Sequence, residues 1–283
     1  MAEKEAERPE GGKDMSFWDH LEALRQGLFR VVIALVAAFV VLFFFKGFLF
    51  DTLILAPTRS DFFFYRWFGM ETGLQLVNIE LSTQFMVHMR VTFMCAFILC
   101  CPYTLFEIWR FIAPALYQNE KRATRRAFLF ASFLFYLGIA VGYCIILPLM
   151  VNFFDGYKVS EEVINTISLN SYISTVNSTV LLFGIVFEIP TLVAVLSQLG
   201  LLTRQALLGG WKWAVVIIAV LAAIITQADP FSMLIAAIPL ALLYGISLLV
   251  CKKAEPEEDE DEKSGEESAG EGKDASAKKE AKA

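Results

Sequence analysis

The chain has 283 residues, is 57% hydrophobic with a mean hydropathy of +0.56, and carries a formal net charge of −6. That composition excludes an ordinary water-soluble domain, and no nucleic-acid partner is expected. The charge is unevenly spread: residues 254–283 hold twelve acids and five bases, net −7, so the remainder is near neutral at +1.

Residues 1–15 read as a charged, disordered arm, and no cleavable signal peptide is expected there. From Ser16 to Gly27 the chain reads as an amphipathic helix start. Ser16 and Asp19 are spaced as in a capping box, and Phe17, Leu21, Leu24 and Leu28 share one face. Leu28–Phe45 is the first membrane span, since about 20 apolar residues cross the hydrocarbon. A long connection follows to about Gln84, with Pro57 and the aromatic run Phe62–Phe68 suited to the headgroup region. The second span is about Phe85–Phe106, bent near Pro102.

Trp109–Arg126 reads as a loop rich in cations: Arg110, Lys121, Arg122, Arg125 and Arg126. The third span lies within Ala127–Phe154, and the fourth runs about Leu169–Leu199, interrupted by Glu188. Gly200–Lys212 is a turn, Trp213–Ile225 a short fifth block, and Phe231–Cys251 the sixth span. Thirteen residues reach only about 20 Å against about 30 Å of hydrocarbon. The tail, Ala254–Ala283, reads as acidic and disordered. The fold class is therefore an all-α membrane protein with a six-span domain over residues 16–253.

Six spans put both termini on one side. Lysine and arginine concentrate on that side, which predicts cytoplasmic termini. No internal repeat is present, which weighs against a repeat-built transporter. None of the five cysteines forms a CxxC pair, and His20 and His88 lie far apart, so no disulfide framework, metal site or cofactor is expected.

Four acids require a reason. Glu188 stands in LLFGIVFEIPTLVAVL, where an ionised carboxylate costs roughly 3 kcal/mol or more. It is a packed structural acid, a proton-relay group, a contact for a partner helix or the wall of a watery groove. Asp229 reads as the cap of the sixth helix, with Pro230 at the first helical position. Glu22 and Glu120 are either solvated surface acids or carboxylates that receive guanidinium groups from another chain. A surface ion pair is worth only about 0–1 kcal/mol, so stability explains little of Glu120. The FIAPAL run, with Phe111 and Pro114, reads as an interfacial helix cap when taken by itself.

These residues together resemble the TatC family, the polytopic subunit of the twin-arginine protein translocase. The resemblance spans most of residues 16–251: FWDHLEALR at Phe17–Arg25, Ala56-Pro57, Pro102, FIAPALYQNEKR at Phe111–Arg122, LFYLGIAVGY at Leu134–Tyr143, Leu147-Pro148, FEIP at Phe187–Pro190 and DPFS at Asp229–Ser232. It implies a concave six-helix bundle in a bacterial inner membrane. It implies a non-enzymatic receptor that binds Arg-Arg signal peptides of folded proteins. It also implies assembly with single-span TatA/TatB-type subunits, self-association in a receptor complex, and transport driven by the proton-motive force. By the same resemblance Phe111, Pro114, Glu120, Glu22 and Arg25 belong to signal recognition, Glu188 to an intramembrane contact, and Asp229 and Pro57 to the periplasmic side.

The pattern departs from the family in three places. Where HLxELR is usual, the chain reads HLEALR, so Ala23 holds the glutamate position and Glu22 lies about 100° around the helix. TQAD at Thr226–Asp229 replaces TPPD, and Met233 stands where a polar residue is often found. The alternative function is a secondary transporter of a small solute or ion with Glu188 as coupling acid. An intramembrane enzyme is disfavoured, because no GxSxG or HExxH occurs.

Overall fold

A computed structural model describes residues 17–70, 74–116, 121–160, 162, 166–198, 200–226 and 229–251. The expected arm at 1–15, the Ser16 cap, Glu120 and the acidic tail lie outside the described residues.

The first helix, α1 (Phe17–Phe43), joins the amphipathic start and first span into one rod. Nothing in its sequence breaks it: its interior has no proline, and Gly27 costs only about 1 kcal/mol. Leu28 and Ile33 are 63% and 66% exposed, which a water-facing helix does not tolerate over such a length and a lipid-facing one requires. The described residues of the long connection have regular structure. They contain a π-helical turn (Phe48–Ile54), a 3-10 turn (Ala56–Thr58), α2 (Phe63–Phe68) and β1 (Leu76–Val77).

The second span is longer than the sequence predicts. Helix α3 runs Thr83–Leu116, straight through Trp109, Phe111 and Pro114, so the expected loop does not begin at Trp109. Pro114 removes one hydrogen bond, that to the Arg110 carbonyl, in the last turn of α3, and the helix continues for two residues beyond it. The third crossing is α4 (Lys121–Val141), a π turn (Gly142–Ile146) and α5 (Leu147–Gly156). Pro148 at the start of α5 cannot donate backward, and the π turn absorbs the mismatch.

After β2 (Ile167–Ser168), which pairs in parallel with β1, α6 (Leu169–Val186) and α7 (Ile189–Gln198) form the fourth crossing. The break at Phe187-Glu188 follows from Pro190, whose missing N–H leaves the Val186 carbonyl without its helical partner. Gly200–Lys212 holds a short helix, α8 (Arg204–Gly209), capped by Thr203, whose Oγ1 accepts from Ala206 N at 3.2 Å. Helices α9 (Trp211–Ile225) and α10 (Pro230–Val250) complete the chain. Among the described residues five stretches are long and apolar enough to span a membrane, and α9 is a shorter apolar helix.

Helix α1 packs on α3, α3 on α4 and α6, α6 on α9, and α10 on α7 and α9, so the packing runs from α1 to the α9–α10 pair. Lipid supplies no hydrophobic drive between helices, so close packing and hydrogen bonds hold the bundle. At Gly138 of α4, a Cβ would lie 2.5 Å from the Phe183 carbonyl oxygen and 2.7 Å from Phe187 Cβ, so only glycine permits this α4–α6 approach. Three tyrosines tie the connections at one end: Tyr172 Oη donates to Ile54 O (2.7 Å), Tyr65 Oη to Pro57 O (2.8 Å), and Tyr143 Oη to Leu53 O.

Candidate functional site

The end of the bundle opposite those tyrosines brings together the start of α1 and the end of α3. Among the described residues two carboxylate–arginine pairs lie there. On α1, Glu22 accepts from Arg25 Nη1 at 3.2 Å and from Gln26 Nε2 at 3.3 Å. These are neighbours at i,i+3 and i,i+4 on one helix face, as the 3.6-residue turn dictates. The Gln26 and Arg25 hydrogen bonds hold the Glu22 carboxyl below its ordinary range. The Arg25 guanidinium also lies 5.6 Å from the centre of the Phe29 ring, a cation–π distance.

The second pair bridges two helices. Arg30 Nη2 of α1 donates to Glu107 Oε2 of α3 at 3.0 Å, and Tyr103 Oη donates to Glu107 Oε1 at 3.1 Å. The Glu107 side chain is 7% exposed and Arg30 is 42% exposed. Glu107 sits beside Gly27, where a Cβ would meet Oε2 at 3.4 Å. Tyr103, Glu107 and Phe111 succeed one another at four-residue intervals, so they form one stripe along α3.

Sequence reasoning passed over Glu107. Its signal was present: an acid in an apolar helical run, four residues before Phe111. Of the residues it did select, Glu22, Arg25 and Phe111 fall at the α1–α3 end, and Phe111 is half-buried. Pro114 lies within α3, and Glu120 lies outside the described residues.

Glu188 is remote from that end's carboxylates in the chain, at the α6–α7 break, in a stretch long enough to span the bilayer. Thr191 and Cys101 are its polar neighbours. Glu188 Oε1 and Thr191 Oγ1 are nonetheless buried without a hydrogen bond of acceptable geometry. Asp229 caps α10: its Oδ1 accepts from Ser232 N at 2.7 Å, and Pro230 occupies the first turn. Pro57 is buried, and its carbonyl receives the Tyr65 hydroxyl. Among the described residues no group of three or more His, Cys, Asp or Glu is placed to hold a metal ion.

The family model described as Sec-independent protein translocase protein (TatC) matches residues 19–239. The TatC protein of Blattabacterium sp. subsp. Periplaneta americana is 32% identical over 252 residues, covering 84% of this chain and 95% of that protein. The TatC of Deinococcus radiodurans is 34% identical over 248 residues, covering 86% and 89%. A crystal structure of the twin arginine translocase receptor TatC in DDM superposes with a TM-score of 0.72 at 32% identity, covering 82% of this chain and 99% of that one. These matches set aside the small-solute transporter alternative for Glu188 and make the protein a component of Sec-independent protein export. The fold, the motifs and the relatives agree: the chain belongs to the TatC family of polytopic membrane proteins.

Proposed function

We propose that this protein is the receptor core of a twin-arginine export machine, and that the α1–α3 end is where it meets the Arg-Arg signal of a folded substrate. The observation that carries this reading is that two acids at that end, Glu22 and Glu107, already hold guanidinium groups, with Phe111 on the same α3 stripe as Glu107. Carboxylates that accept one arginine have the geometry to accept another, and a planar guanidinium satisfies them better than an ammonium. Glu120, four residues beyond the end of α3, adds a further acid to the same connection.

The cations of the adjoining segments, Arg110 to Arg126, support placing this end and both termini in the cytoplasm. Single-span TatA/TatB-type subunits are the partners proposed within the bilayer, with Glu188 as a polar contact and copies of this chain associating in the receptor complex. The driving force proposed is the proton-motive force, and the protein performs no covalent chemistry. The test is site-specific crosslinking from Phe111 and Glu120 to a labelled Arg-Arg signal peptide, compared with its Lys-Lys form. Strong Arg-Arg and weak Lys-Lys crosslinks are expected; equal crosslinking of both would remove the reading.

A further inference from the structure

We propose that Glu107 is a guanidinium-binding carboxylate of the signal-receiving surface, and that Arg30 is a resident stand-in for a signal arginine which the incoming peptide displaces. The inference rests on the receptor reading given above and adds a residue and an exchange step to it.

The acid is fixed and its cation is not. Tyr103 holds Oε1, and the carboxylate lies against α1 at Gly27, so the Glu107 side chain is 7% exposed. Among the described residues Arg30 makes one hydrogen bond, Nη2 to Oε2 at 3.0 Å, and it keeps 42% of its side chain exposed. A fork-shaped group joined through one arm leaves its better geometry unused. Arg30 is the member of the pair that can swing away.

Position fits the same role. Glu107 precedes Phe111 by four residues, a rise of about 6 Å along α3. An arginine arriving beside Phe111 therefore needs to reach one helical turn toward the membrane. Removing Arg30 without replacement would leave a desolvated carboxylate bare, which is strongly unfavourable. Exchanging one guanidinium for another never passes through that state, so the step is nearly neutral in charge. A lysine makes a poorer substitute, because its ammonium is more strongly hydrated and lacks the planar fork. The exchange thus discriminates Arg-Arg from Lys-Lys.

Chain chemistry adds a second reason. Ala23 cannot supply a carboxylate, and the nearby Glu22 is exposed and bound to Arg25 on its own helix. An exposed pair of that kind is weak and unselective. Of Glu22 and Glu107, it is Glu107 whose surroundings exclude solvent.

The test uses the full chain purified in mild detergent and a fluorescent peptide carrying an Arg-Arg signal, with its Lys-Lys form beside it. Arg30→Gln keeps a side chain able to donate but removes the competing guanidinium; it is expected to tighten Arg-Arg binding about 5-fold, roughly 1 kcal/mol. Glu107→Gln is expected to weaken Arg-Arg binding about 10-fold and to narrow the Arg-Arg to Lys-Lys ratio. The double variant should lose the gain seen with Arg30→Gln. If both single changes weaken binding alike, and the double is no worse than either, the pair is an internal strut and the proposal is overturned. Should Arg30→Gln fail to fold in a detergent melt, Arg30→Lys carries the same test: tighter Arg-Arg binding supports exchange, unchanged or weaker binding overturns it. A parent chain that binds both signals equally would instead remove the receptor reading, whereas a discriminating parent with no gain in the Arg30 variant removes Glu107 alone.

Discussion

Glu107 and Glu188 are both carboxylates inside stretches long and apolar enough to span the membrane, and they are housed in opposite ways. Glu107 uses both oxygens, one for Arg30 and one for Tyr103, across two helices. Glu188 sits where α6 breaks into α7, with Oε1 buried and unpartnered. Asp229 lies between these cases, with Oδ1 on the Ser232 amide and Oδ2 buried without a partner. A satisfied buried acid holds its neighbours in place, whereas an unsatisfied one costs the fold and persists for another reason. Stability should therefore rank these sites by how many bonds each oxygen makes.

The largest loss is expected where the satisfied acid is stripped of its cation. Arg30→Leu leaves Glu107 desolvated and uncompensated. The cost is about 2–3 kcal/mol, below the range for a fully buried pair because Arg30 is half-exposed. It reads out as a lowered midpoint of thermal unfolding in detergent. A second change attacks the seat of Glu188 rather than its carboxylate. Gly138→Ala forces a methyl against the Phe183 carbonyl and Phe187 Cβ, adjacent to the break. Overpacking of this sort costs about 1–3 kcal/mol. The same unfolding measurement should rank it below Arg30→Leu; an unchanged midpoint would mean α4 and α6 do not approach as described. Asp229→Ala removes the α10 cap and costs about 1 kcal/mol, between the two extremes as its single used oxygen requires. If it equals Arg30→Leu, counting bonds per oxygen fails as a guide.

The same contrast explains what could be read before the structure. Apolar blocks of membrane length stand out without any tertiary knowledge, so all six crossings and the Asp229 cap were legible. Helix ends were not. Reading Trp109 as the start of a loop put Glu107 at the seam between span and loop, where an acid draws no notice. The continuation of α3 to Leu116 depends on packing against α1 and on tolerance of Pro114 near a helix end, neither of which is a pattern in the sequence. The Arg30–Glu107 pair joins residues 77 positions apart and was invisible for the same reason. Glu188 was conspicuous because its neighbours on both sides are apolar, whereas the split of its span into α6 and α7 emerged only in the structure.

Glu188→Gln is expected to have the smallest effect on stability, within about 0.5 kcal/mol of the parent. The substitution keeps the shape and removes a carboxylate whose Oε1 has no hydrogen bond to lose. Its amide can donate as well as accept, so it can serve the Thr191 hydroxyl beside it in place of the acid. An acid retained at such a position without contributing to the fold is retained for what it does in the membrane, by default. Export of a reporter carrying an Arg-Arg signal should therefore fall by at least about 3-fold in Glu188→Gln while the unfolding midpoint stays put. A lowered midpoint with normal export would reverse the contrast, making Glu188 a structural acid like Glu107 and assigning its orphaned oxygen a partner within the packed helices.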